Sequence, residues 1–212
     1  MRERESPRLD IFLTGYNFSS LVIDTLCDNA GEAGENIAVA CLYFDSSVQK
    51  EQSAASVLGA LLKQVVGGSR QIPKEIIDAF QRHKKFIGGQ NMELVEIVNM
   101  LAGFSSRQPT FFCLDALDEC AARDRANILL SLKEIIRASP TTRVFLTGRP
   151  HVCGEVEKHL AEGAAFVQIN PRNGDIIRYI HKKLAEDPFS DEMDERLEAE
   201  IIKNIPETVA EM

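Results

Sequence analysis

The chain has 212 residues, 44% of them hydrophobic and 26% charged, with a formal net charge of −8. That suits a globular protein with a real core, built as one large domain or as a domain with a small extension. The charge argues against nucleic-acid or anionic-membrane binding carried by bulk charge, and no apolar run approaches membrane-spanning length.

A short apolar stretch, DIFLTG (10–15), reads as a first strand. A helix over Ser19–Asn29 follows, with Leu21, Val22, Thr25 and Leu26 on one stripe, then a strand IAVACLYF (37–44). Ala54–Val66 carries apolar residues at helical spacing, Pro73 opens a helix through about Lys85, and Met92–Phe104 is a third, with Leu94, Val95, Val98 and Leu101 apolar. The strand TFFCLD (110–115) precedes the clearest helix, Asp124–Ala138, closed by Ser139 and Pro140. RVFLTG (143–148), a helix over His151–Leu160 and AAFVQI (164–169) complete the alternation. Helices over Asp175–Glu186 and Met193–Ile205 end the chain.

The strands from residue 37 onward are nearly continuous in hydrophobicity. That is what strands covered on both faces require, so a parallel sheet with helices on each side is expected. Strand and helix in alternation give a doubly wound α/β fold, in which ligands bind at the carboxyl ends of the strands. Residues 1–172 are expected to form this body and 173–212 a short helical extension. Residues Glu186–Met212 hold ten acidic residues against Arg196 and Lys203, a solvated helical face or an acidic docking surface. The cysteines Cys27, Cys41, Cys113, Cys120 and Cys153 are scattered and contain no C-x-x-C pair, so neither a disulfide framework nor a zinc site is expected. Cys41 and Cys113 read as small core residues. The cysteine usage and the charged N-terminus fit a reduced, cytoplasmic setting.

Two stretches at strand ends carry candidate chemistry. In FFCLDALDEC (111–120), Asp115 emerges at the end of a buried strand, where a carboxylate binds magnesium through water. Asp118 and Glu119 follow in the turn, placed to orient a water or, equally on spacing alone, to cap the next helix. In VFLTGRP (144–150), Arg149 stands where it can reach a phosphate or pair with one of those acids. A phosphate loop, G-x-x-x-x-G-K-[ST], is expected after the first strand. The chain instead reads IFLTGYNFSSLVIDTL: Gly15 is a possible first glycine, but Ser20, Leu21 and Val22 hold the later positions.

Together these segments resemble the NACHT-type P-loop NTPases, in the nephrocystin-like form found in large fungal signalling proteins that end in ankyrin or WD repeats. FSSLVIDTL resembles the helix after the phosphate loop, FFCLDALDEC the Walker B segment and VFLTGRP the sensor strand. GDIIRYIHKKL and EIIKNIPETVAEM resemble the start of the family's small helical domain, which continues toward winged-helix and repeat regions. The resemblance implies a five-stranded sheet in the order 5-1-4-3-2. It also makes Asp115 the magnesium carboxylate, Asp118 and Glu119 the catalytic acids, and Arg149 the sensor. Gly15, Ser19 and Ser20 are the residual phosphate-loop region, and no residue matches the phosphate-binding lysine. The chain is therefore expected to be a degenerate signalling or scaffold module with weak or no NTP binding, working through protein partners or self-association, without nucleic acid or membrane. The alternative is a slow switch that hydrolyses ATP or GTP with Mg2+.

Overall fold

An apolar strand sheds both its faces into a core only if it has neighbours above, below and beside it, and the strands here obtain them in one sheet. The computed structural model describes residues 9–13, 16–32, 37–69, 71–84, 92–160, 163–168, 173–186 and 194–210. Its strands are β1 (Leu9–Leu13), β2 (Ala38–Tyr43), β3 (Thr110–Asp115), β4 (Thr142–Thr147) and β5 (Ala164–Gln168). They form one sheet in the order β2-β3-β4-β1-β5, and every pairing is parallel. This is the expected order. The helices are α1 (Tyr16–Glu32), α2 (Ala54–Gly67), α3 (Lys74–Lys84), α4 (Leu94–Ser105), α5 (Ala122–Ala138), α6 (Cys153–Leu160), α7 (Asn173–Ala185) and α8 (Glu195–Ala210).

Register shows how the continuous hydrophobicity is used. Alternate rows across the sheet point to opposite faces. The row Ala40–Phe112–Val144 and the row Leu42–Leu114–Leu146 join one large core with Leu58, Leu61 and Leu62 of α2, Leu101 of α4, and Leu129 and Leu132 of α5. The intervening row, Cys41–Cys113–Phe145, faces the other way and packs against Val22, Ile23 and Leu26 of α1. Neither face alone would explain the sequence pattern.

The edge strand β2 has its free side closed by a side chain. Gln64 of α2 donates Nε2–H to the Cys41 carbonyl at 2.7 Å, and its Oε1 accepts the Cys41 N–H at 3.0 Å. A carboxamide thus replaces the missing strand and blunts an edge that would otherwise template pairing.

Four expectations are corrected. The last strand is not covered on both faces: β5 lies at the sheet edge and its residues from Ala165 to Gln168 are exposed, Phe166 at 37% and Val167 at 40%. The stripe of α1 is rotated, with Ile23 buried and Leu21 61% exposed, because Leu21 lies on the side of the helix away from the sheet. In α4 the buried residues are Ile97, Val98, Leu101 and Phe104, while Val95 is 69% exposed at the margin of the stripe. Helix α1 also begins at Tyr16, three residues ahead of Ser19, and the last two residues of DIFLTG, 14 and 15, lie outside the described residues.

The chain divides into two compact units, Met1–Ile169 and Asn170–Met212. In the second, α7 buries Ile180, and Lys183 donates to Glu186 at 2.9 Å. Among the described residues no helix is long and apolar enough to cross a membrane. The edge clamp gives a test by chemical denaturation. Gln64→Ala should lower stability by about 1–2 kcal/mol, the loss of two ordinary hydrogen bonds, and should speed hydrogen exchange at the Cys41 amide. An unchanged midpoint would mean that the edge is closed by something else.

Candidate functional site

Strands β3 and β4 run through buried apolar residues, Phe112–Leu114 and Val144–Leu146, to their final residues, Asp115 and Thr147, which lie beside each other at the carboxyl edge of the sheet. Asp115 is only 4% exposed and Thr147 5%. The Thr147 hydroxyl donates to Asp115 Oδ1 and its oxygen accepts the Ala116 N–H at 2.9 Å. The Asp115 carbonyl accepts the Phe44 N–H at 3.0 Å, so the ends of β2, β3 and β4 are joined at one residue.

Beyond Asp115 the chain turns sharply. Ala116 takes φ 57° and ψ 47°, the left-handed region that a side chain adopts at a cost, and Leu117–Glu119 form one turn of 3₁₀ helix. This turn sends Asp118 and Glu119 in different directions. Asp118 Oδ1 accepts the Arg149 N–H at 3.1 Å, and its Oδ2 lies 3.4 Å from Arg149 Nε. Glu119 Oε2 accepts the Ser46 N–H at 3.0 Å, and its carbonyl accepts from Gln49 Nε2 at 2.8 Å. Close approach of the two turns requires a small residue at Gly148, where a Cβ would meet Val152 at 3.1 Å and the Asp118 backbone nitrogen at 3.5 Å.

The shell around these residues is also tied together. Asp45, which caps the 3₁₀ turn Ser46–Glu51, is held below the usual carboxylate range by hydrogen bonds from Ser47. Asp124 of α5 accepts the Ala54 N–H at the start of α2, at 3.1 Å. Arg125 spans from the Cys120 carbonyl, at 3.0 Å, to Glu155 of α6, at 2.6 Å. Burial, with Asp124 nearby, pushes the Cys120 thiol up to about 11, so it stays protonated at neutral pH.

The structure thus places Asp115, Asp118, Glu119 and Arg149 at one sheet edge, but the three acids do not converge on a common point. Among the described residues no three ligating side chains could hold a metal together. Asp115 alone has the character of a magnesium ligand: a buried carboxylate at a strand's carboxyl end beside a hydroxyl. Gly15 lies outside the described residues. Ser20 is exposed on α1 and falls, with Ser19, at the end of the helix's first turn rather than ahead of it. Sequence reasoning did not single out Thr147, Ala116 or Ser46. The one signal for Thr147 was its position, a polar residue ending an apolar strand as Asp115 does.

These contacts rank two substitutions. The Arg149 side chain is 70% exposed while that of Asp118 is 8% exposed, so the guanidinium contact is a weak surface pair. Arg149→Ala should therefore cost less than about 1 kcal/mol in urea unfolding. Asp118→Ala also strips the acceptor from the Arg149 N–H and should cost about 1–3 kcal/mol. Equal losses in the two variants would show that the guanidinium, not the backbone bond, is what Asp118 holds.

Comparison with known proteins agrees with this fold. The solved Aeropyrum pernix ORC1 protein in complex with DNA superposes with a TM-score of 0.55 at 14% identity, over 88% of this chain and 47% of that one. Drosophila ORC bound to poly(dA/dT) DNA and Cdc6 gives a TM-score of 0.52 at 14% identity, over 86% and 28%. At such identity the likeness is one of fold, that of the P-loop ATPases, and the chain spans less than half the length of either. Among curated protein sequences there is no significant match. The sequence model of the family described as Nephrocystin 3, N-terminal matches residues 17–149, from the first turn of α1 to Arg149 and more than half of the chain. The chain belongs to the nephrocystin 3 N-terminal family.

Proposed function

We propose that the chain is a signalling or scaffold module that keeps the body of a P-loop NTPase and binds nucleotide weakly or not at all. The observation that carries this reading is the engagement of both turn acids with the chain itself, Asp118 with Arg149 and Glu119 with Ser46. A carboxylate tied to a backbone N–H of a neighbouring loop is fixed in orientation and less free to swing toward a water. The sequence between β1 and α1 supplies neither the second glycine nor the lysine of a phosphate loop. Each charge-assisted bond lost from a triphosphate removes about 1.5–3 kcal/mol, so three such losses weaken binding by several powers of ten. The net charge of −8 favours protein partners or self-association over nucleic acid, in a cytoplasmic setting.

A second reading, a slow magnesium-dependent ATP or GTP switch, is favoured by Asp115. Its buried carboxylate fits a hydrated magnesium ion, which when bound would neutralise phosphate oxygens. Thr147 would fix the carboxylate's orientation, the first N–H groups of α1 would face the phosphates, and Ser19 or Ser20 would have to offer the hydroxyl. Arg149 would then act as the phosphate sensor, with Asp118 or Glu119 released to orient water.

Equilibrium binding of fluorescent ATP and GTP analogues, with and without millimolar magnesium, separates the two. We expect no saturable binding below about 1 mM, a free energy weaker than about −4 kcal/mol. Micromolar binding that needs magnesium and disappears in Asp115→Ala would establish the switch and overturn the module.

A further inference from the structure

Two of the five cysteines, Cys41 and Cys113, face α1 from the sheet, and a third, Cys27, stands on that helix. Cys41 and Cys113 are register partners on β2 and β3, so their side chains point to the same face, the one that also presents Phe145. Helix α1 lies on this row through Val22, Ile23 and Leu26. Cys27 follows one turn after Ile23, at i+4, and so projects from the same side of the helix. Access is graded across the cluster: Cys27 is exposed, Cys41 half-buried and Cys113 buried.

We propose that Cys27 and Cys41 form a dithiol site, oxidised by a small disulfide of the glutathione class to an intramolecular bond that fastens α1 to the edge strand β2. The choice of pair follows from geometry and access. Neighbouring parallel strands hold registered side chains about 4.8 Å apart, wider than the Cβ separation a disulfide prefers, so Cys41 and Cys113 are a strained pair. Cys113 is also only 1% exposed and closed to an oxidant. Cys27 meets the solvent, and Cys41 is held in place because Gln64 binds both its backbone groups.

Burial, and then Cys27, raise the Cys41 thiol above its usual value, and burial with Cys41 and Cys27 pushes Cys113 up to about 12. Burial, Asp24 and Asp28 raise Cys27. The thiols are therefore mostly protonated at neutral pH and exchange slowly. The exchange has two steps. The Cys27 thiolate attacks one sulfur of the small disulfide and expels its first thiol. The Cys41 thiolate then attacks Cys27 Sγ and expels the second. Two protein thiols lose two electrons and two protons, and the small disulfide is reduced to two thiols.

The test is to incubate the full chain with oxidised glutathione, count free thiols in denaturant and map the linked peptides by mass. The wild type should fall from five thiols to three, with the peptides bearing Cys27 and Cys41 joined and no glutathione retained on either. Cys27→Ser should form no such link. Cys41→Ser should leave glutathione on Cys27, a readout that a purely structural role for Cys41 would not produce. A wild type that keeps glutathione on Cys27, joins Cys41 to Cys113, links two chains or leaves Cys27 and Cys41 reduced would overturn the proposal.

Discussion

The contact on which the rest of the site depends is the hydroxyl bridge between β3 and β4. Thr147 donates to the buried Asp115 carboxylate and accepts from the next amide, Ala116. Without that acceptor, Ala116 would have little reason to hold a left-handed conformation, and the turn that follows would lose its direction. The turn in turn decides where Asp118 and Glu119 go, one to β4's continuation and the other to β2's. The Thr147 side chain joins β4 to β3, and the Asp115 carbonyl joins β3 to the end of β2.

The same arrangement changes how the acids should be regarded. Carboxylates after a buried strand suggest chemistry because they are near one another in sequence. In space a short 3₁₀ turn separates them, and two are held by backbone N–H groups of neighbouring loops. Such bonds brace the loops, without gathering charge around a ligand. Asp115 differs, being buried beside a neutral hydroxyl.

Much of the body was legible in the sequence. Residues 112–114 and 144–146 are apolar at successive positions because the rows of β3 and β4 alternate between two covered faces, as the register shows. The order of the strands came from the family resemblance, since periodicity carries no information about which strand sits beside which. What failed has a common cause. AAFVQI has the composition of a buried strand, but an edge position is a property of the sheet, not of the segment. Leu21 and Val95 fit their helical stripes by spacing, and lie outside the buried sector because the sheet sets the helix phase. The partners of the acids were illegible for a related reason. Ser46 is 73 residues from Glu119 and Arg149 is 31 from Asp118, and no local pattern links either pair.

The most direct test of this account is amide hydrogen exchange at Ser46, Ala116 and Arg149, compared between the wild type, Glu119→Ala and Asp118→Ala. If the acids brace the strand ends, all three amides are protected in the wild type. Glu119→Ala then speeds exchange at Ser46 and Asp118→Ala at Arg149, each by about tenfold or more, corresponding to about 1.4 kcal/mol of lost protection. Exchange at Ser46 and Arg149 as fast as in an open loop, and indifferent to both substitutions, would contradict the account and leave the acids free for a ligand.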